Sequence, residues 1–147
     1  MIRLRRLPEL HIATFAFLLN FVWEVLQTPF FIDISPDINT IVWFRLHCTF
    51  GDVMISLGSF WLVSLIFKNR LWLLKPSKMH MFLFIMFGMS YTIFSEILNV
   101  SIKDMWGYSD LMPVIPFIGV GVVPLIQWIA TPPLLIFFAK KQLCCMK

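Results

Sequence analysis

Apolar residues run along this chain in four long blocks, at about 11–31, 48–67, 79–100 and 113–138, separated by short polar connections. Within the blocks the few polar residues recur at helical spacing. Asn20, Glu24 and Gln27 fall at i, i+4 and i+7 on the first, Asp52, Ser56 and Ser59 do so on the second, and Thr92, Glu96 and Asn99 on the third. A hydrocarbon core of about 30 Å needs about 20 helical residues, so each block predicts a membrane-crossing helix. A polar stripe on such a helix is expected to face the bundle interior. The pattern therefore predicts an all-α integral membrane four-helix bundle, a single membrane domain over residues 1–147.

The connections refine this picture. The stretch 68–78 ends in Lys75-Pro76-Ser77, which predicts a tight antiparallel hairpin between the second and third helices. In 32–47, the turn Ser35-Pro36-Asp37 is suited to capping a short helix, and Ile38, Ile41, Val42 and Trp43 predict a brief amphipathic segment at the membrane surface. The stretch 101–112 carries Trp106-Gly107-Tyr108. Trp43, Trp106, Tyr108 and Trp72 read by default as an interfacial aromatic belt. Pro113, Pro116, Pro124, Pro132 and Pro133 crowd the fourth block with Gly119 and Gly121, so a kinked helix with a non-helical entry near 113–116 is expected. Gly51 and Gly58, and separately Gly88 with Thr92 and Ser95, mark faces where helix backbones can approach closely.

Composition agrees with a membrane protein: 59% of residues are hydrophobic, 14% are charged and the mean hydropathy is +0.84. Soluble domains are about 25% charged. The charges also give an orientation. Arg3, Arg5, Arg6, Lys68, Arg70, Lys75, Lys78, Lys140, Lys141 and Lys147 all belong to one side, which by the positive-inside rule is cytoplasmic. Both termini are then cytoplasmic, in a multi-pass protein expected in the bacterial inner membrane. The net charge of +4 is explained by topology, and no nucleic-acid partner is implied. The first block follows three arginines but carries Asn20, Glu24 and Gln27 and lacks a small-residue cleavage site, so a retained signal anchor is expected. Cys48, Cys144 and Cys145 imply no internal disulfide.

The candidate chemistry lies in three carboxylates. A charge at the centre of a membrane helix costs roughly 2.5–3.5 kcal/mol on insertion scales, so Glu24, Asp52 and Glu96 need a reason. Glu24 falls about six residues before the outer end of its block, about 9 Å; Asp52 and Glu96 fall about four residues from theirs, about 6 Å. The three are thus expected in one layer near the outer leaflet, with His47 above Asp52 and Arg45 and Lys103 at the rim. Glu24 and Glu96 are the candidate acid–base pair, oriented by Asp52 and His47. Asn20, Gln27, Asn99, Trp106, Tyr108 and Gln127 are candidate ligand contacts, with Trp106 and Tyr108 closing the mouth. Carboxylates in different environments can divide the roles of acid and base.

Two other readings stand beside this one. The layer can be a hydrogen-bonded network that only fixes helix packing, with one or more carboxyls protonated, or a metal or ion pathway using Glu24, Asp52, Glu96 and His47. The metal reading lacks any motif pairing His with a carboxylate on one helix. His11 and His80 read as solvated groups or headgroup contacts at the inner interface, and Gln127 as an interhelical hydrogen bond.

As a set, Asn20-Phe21-Val22-Trp23-Glu24, His47-Cys48-Thr49 with Gly51-Asp52, Glu96 with Trp106-Gly107-Tyr108, Met112-Pro113, Pro124-Leu125 with Gln127-Trp128, and Pro132-Pro133 resemble a group of small four-span bacterial membrane proteins of unassigned activity. The stretch from Glu96 to Tyr108 is also similar to membrane carotenoid hydratases and lycopene cyclases. That second resemblance implies a lipid or isoprenoid as the substrate class. It names no cofactor. The expected partners are the lipid bilayer and a lipid or isoprenoid ligand, and so small a bundle is a candidate homodimer.

Overall fold

The computed structural model describes residues 7–32 and 37–145. Arg3, Arg5, Arg6, Asp33, the Ser35-Pro36 half of the expected turn, and Lys147 lie outside the described residues. The main elements are α1 (Pro8–Gln27), α2 (Ile38–Ile66), α3 (Lys78–Glu96) and α4 (Val122–Cys145), with two-residue strands β1 (Phe31–Ile32), β2 (Gly107–Tyr108), β3 (Val114–Ile115) and β4 (Val120–Gly121). Among the described residues, four helical segments are long and apolar enough to cross a membrane: Pro8–Phe30, Ile38–Ile66, Lys78–Ile102 and Val122–Cys145. The described residues are all-α apart from two short antiparallel ladders.

The first three helices begin where the sequence supplies a start. Pro8 opens α1, where its missing N–H is not needed. The Asp37 carboxylate accepts the Thr40 N–H at 3.0 Å and caps α2. Ser77 and His80 form a reciprocal capping box on α3. The helix capped by Asp37 is not the brief surface segment expected: it runs on without a break through Trp43 and Cys48 to Ile66. At 1.5 Å per residue its 29 residues reach about 43 Å, longer than a hydrocarbon core of about 30 Å. Asp52 therefore sits near the middle of a long helix, and not a turn inside its end. The fourth helix, in turn, starts later than the apolar block that announces it. Residues 113–121 form the β3–β4 hairpin, with Val114 opposite Gly121 and Gly119 at φ +66° in its turn. The prolines at 113 and 116 favour this non-helical entry.

α1 packs on α2 and α4, and α3 packs on the same two helices, leaving α1 and α3 on the diagonal. The buried face of α1 changes character along its length: Ile12 and Ala16 give way to Asn20, Glu24 and Gln27. The apolar half joins Phe60, Val63, Trp72, Leu73, Phe84, Leu135 and Ala139 in one core. Trp72 is not a belt residue here. It is 1% exposed, donates to Ser64 Oγ at 3.1 Å and stacks on His80 with parallel rings 5.1 Å apart. His80 is partly exposed and held by protein contacts, whereas His11 is buried and is not the solvated interfacial group expected. At the same end Arg70 makes a bidentate pair with Glu9, at 2.6 and 2.9 Å, tying the α2–α3 connection to the first turn of α1.

Gly88 allows the close approach its sequence spacing suggests. A Cβ there would lie 2.0 Å from the Trp128 ring, so the indole rests directly on the α3 backbone. Gly51 and Gly58 differ: no atom lies within 4 Å of either Cβ position. They face open space, not a neighbouring helix.

Candidate functional site

The open space beside Gly51 and Gly58 is a cavity of about 590 Å³. Its walls are α2 and α3, with Glu24 and Gln27 of α1 and Pro124 and Gln127 of α4 at the back. Met54, Leu62 and Tyr91 line it and are themselves 68%, 45% and 54% exposed. The cavity therefore opens sideways between α2 and α3, on a surface that a bilayer would cover. Small ligand pockets occupy about 300–1,000 Å³, and this one lies within that range.

The polar layer divides into two groups. The first is a clamp across three helices. The Gln127 Nε2 of α4 donates to Asn20 Oδ1 of α1 at 3.0 Å and to Asp52 Oδ2 of α2 at 2.7 Å. Gln127 thus makes the interhelical bond expected of it, and Asp52 is one of its acceptors. The second group surrounds Glu24 and Glu96. Gln27 Nε2 donates to Glu24 Oε1 at 2.6 Å, and Trp23 Nε1 in turn donates to Gln27 Oε1 at 3.1 Å. Glu24 Oε2 is buried without a hydrogen-bond partner and lies 3.9 Å from Arg45 Nη1.

Arg45 is the residue that sequence placed at the rim and the structure buries. It is 4% exposed, with its guanidinium 5.5 Å from the Phe31 ring centroid and 5.6 Å from that of Phe44. The signal for it was present. Arg45, Thr49, Asp52 and Ser56 fall on one helical stripe once α2 is extended towards Ile38.

Glu96 is held from the α3–α4 connection. Tyr108 donates its hydroxyl to Glu96 Oε2, and Trp106 also hydrogen-bonds the Glu96 side chain. The same Tyr108 oxygen accepts the Gly121 N–H at 3.0 Å. Burial, with the Glu96 carboxylate beside it, pushes the Tyr108 hydroxyl well above the usual tyrosine range, so it stays a donor. Gly121 leaves little room here: a Cβ would sit 2.8 Å from Met112 Sδ and 3.1 Å from the Tyr108 ring, so both side chains would have to shift. The ladder pairing Phe31 with Tyr108 fixes both residues over the polar layer. Ser109 reinforces it, donating from Oγ to the Pro29 carbonyl at 2.8 Å.

Of the expected site residues, Glu24, Asp52, Glu96, His47, Gln27, Asn99, Trp106 and Gln127 line the cavity. Asn20 and Tyr108 do not; each acts on a residue that does. His47 is exposed and sits on the stripe of Gly51 and Gly58, turned away from the Asp52 stripe. Asn99 lies in the π-helical turn Ile97–Ile102 and donates to the Ser95 carbonyl at 2.8 Å and to Ser95 Oγ at 3.1 Å. Thr92 and Ser95 complete this polar wall: Thr92 was expected on the Glu96 stripe, and Ser95 on a packing face with Gly88. Among the described residues no group of three His, Cys, Asp or Glu side chains is arranged to hold a metal ion. Chemically, the cavity offers carboxylate acceptors at one end and an apolar slot at the other.

Comparison of the chain with known protein families, with curated proteins and with solved structures finds no match. No relative therefore supplies a reaction or a ligand.

Proposed function

We propose that this protein is a four-span integral membrane protein that binds a lipid or isoprenoid in its lateral cavity, with Glu24 and Glu96 as an acid–base pair acting on the ligand's head. The observation that carries the reading is the Glu24 carboxylate. Glu24 lines the cavity, is 4% exposed, and keeps one oxygen without a hydrogen bond. A buried acceptor left unmade costs about 1–3 kcal/mol or more, so a partner for it is favoured. Glu96 is held by two donors on the same cavity and complements it: one carboxyl is fixed, the other has an open position. Burial on a lipid-facing opening favours an amphiphile over a water-soluble substrate.

The wider setting is part of the same proposal. The basic connections and termini are cytoplasmic, the cavity faces the outer leaflet of a bacterial inner membrane, and a homodimer is compatible with the bundle's size. Pro132 and Pro133 inside α4 deprive the Trp128 and Ile129 carbonyls of their usual helical donors and favour a kink there.

A structural role is favoured for one subset only. The bonds from Gln127 to Asn20 and Asp52 join α1, α2 and α4 and are explained by packing alone. The test is mass spectrometry of lipids that co-purify with the full chain, combined with thermal unfolding in added isoprenoid. A near-stoichiometric amphiphile that is lost in Glu24→Gln is the expected result. No retained amphiphile, and no stabilisation by any added one, would leave the packing role as the whole explanation of the polar layer.

A further inference from the structure

The walls of the cavity differ in what they leave unused. Its side-chain amides and the Trp106 indole are directed at acceptors within the protein, while Ser59, Tyr91, Thr92 and Ser95 keep hydroxyls on the wall. Both N–H bonds of the Gln127 amide are directed at Asn20 and Asp52, and the Asn99 amide is directed at Ser95. Gln27 donates to Glu24, and Trp106 is bonded to Glu96. The acceptors are not consumed in the same way. A carboxylate offers about four lone-pair positions, and three carboxylates line this space. Glu24 Oε2 has no hydrogen bond at all. The one cavity arginine is already committed to Glu24, with the Phe31 and Phe44 rings beside it.

We infer that the ligand's head is a hydrogen-bond donor, an alcohol or an amine, carried on a single apolar chain that lies along the Gly51–Gly58 face of α2; this rests on the lipid-binding reading above. A phosphate head would bring chiefly acceptors and negative charge to a wall that carries three carboxyl groups and one engaged guanidinium. Like charges brought together repel, which disfavours the phosphate. A hydroxyl or ammonium instead supplies the donor that Glu24 Oε2 lacks, within reach of Glu96. The tail has a matching channel. Beyond the carboxylates the walls are Met54, Ile55, Leu62 and Phe87, and the two glycines leave the α2 backbone uncovered.

The test compares three probes with one chain: farnesol, farnesylamine and farnesyl phosphate, added to the purified full-length protein in neutral detergent. Affinity is read by thermal shift and by tryptophan fluorescence. The alcohol or the amine is expected to bind about tenfold or more tightly than the phosphate, a difference of about 1.4 kcal/mol. Glu24→Gln is expected to weaken the amine about tenfold while leaving the phosphate unchanged. Should that variant not fold, the ranking on the unmodified protein decides alone. Gly58→Leu is expected to weaken every probe, because it fills the tail channel; unchanged binding in it would move the ligand elsewhere and overturn the inference. Phosphate binding as tightly as the alcohol and the amine would overturn the donor head while leaving a lipid site. No binding of any probe would remove both.

Discussion

Gln127 on α4 holds Asp52 on α2 by a 2.7 Å hydrogen bond while the same nitrogen donates to Asn20 on α1. One amide thus ties together three helices at the level where their polar stripes converge. Without a hydrophobic drive between helices in lipid, such bonds and close packing are what select one arrangement of the bundle.

Replacing Gln127 by Leu should leave the Asn20 and Asp52 acceptors without their donor. At about 0.6–2 kcal/mol per interhelical bond, unfolding in a denaturing detergent titration should shift by about 1–4 kcal/mol. Asp52→Asn keeps an acceptor facing Gln127 and should shift far less. Equal loss in the two variants would mean that the charge on Asp52, and not its acceptor, stabilises the bundle.

Gly88 and Gly58 should respond in opposite ways to the same change. Gly88→Ala drives a methyl into the Trp128 ring and should destabilise the protein by about 1–3 kcal/mol, as overpacking does. Gly58→Ala meets nothing within 4 Å and should leave thermal stability unchanged or slightly raised. A matching loss at Gly58 would argue that the cavity closes in the membrane.

How much of this was legible beforehand differs between the two glycines. Their sequence contexts are alike, small residues on apolar helices, and the spacing suggested close packing for both. Whether a neighbour stands opposite depends on how α2 and α3 diverge, which no local pattern encodes. The carboxylate stripe was more legible, because Asn20, Glu24 and Gln27 must share a face at helical spacing and a membrane leaves that face only one favourable direction.

Tyr108→Phe should remove the donor to Glu96 and the acceptor for the Gly121 N–H together, costing about 1–3 kcal/mol. The pH dependence has a definite sign. The folded state raises the Tyr108 ionisation above its unfolded value of about 10, so the protonated hydroxyl is favoured by folding. Its contribution is complete below about pH 10 and is lost as pH rises towards the folded-state value. Tyrosinate absorbance should show one late-titrating residue that disappears in Tyr108→Phe, and wild-type stability should fall more steeply at high pH than that of the variant.

Gly121→Ala should imitate Tyr108→Phe from the other side. Its methyl would meet Met112 Sδ and the Tyr108 ring and displace the hydroxyl from Glu96. A double variant should then cost little more than either single change, because both break one unit. Additive losses would show that Gly121 and Tyr108 act separately.

The sequence by itself determined that four helices of this length and polarity are suited to a membrane, that three of them carry a polar stripe, and that the prolines near 113–116 oppose helix there. Those properties follow from local rules: apolar length, helical spacing and the missing proline N–H. Tertiary structure decided the rest. It continued α2 through Trp43 and Cys48, buried Arg45 against Glu24, and gave Asp52 to Gln127. It also left Gly51 and Gly58 facing a lateral cavity. Each of these depends on which side chain another helix brings opposite, a distance between segments far apart in the chain that spacing within one segment cannot specify.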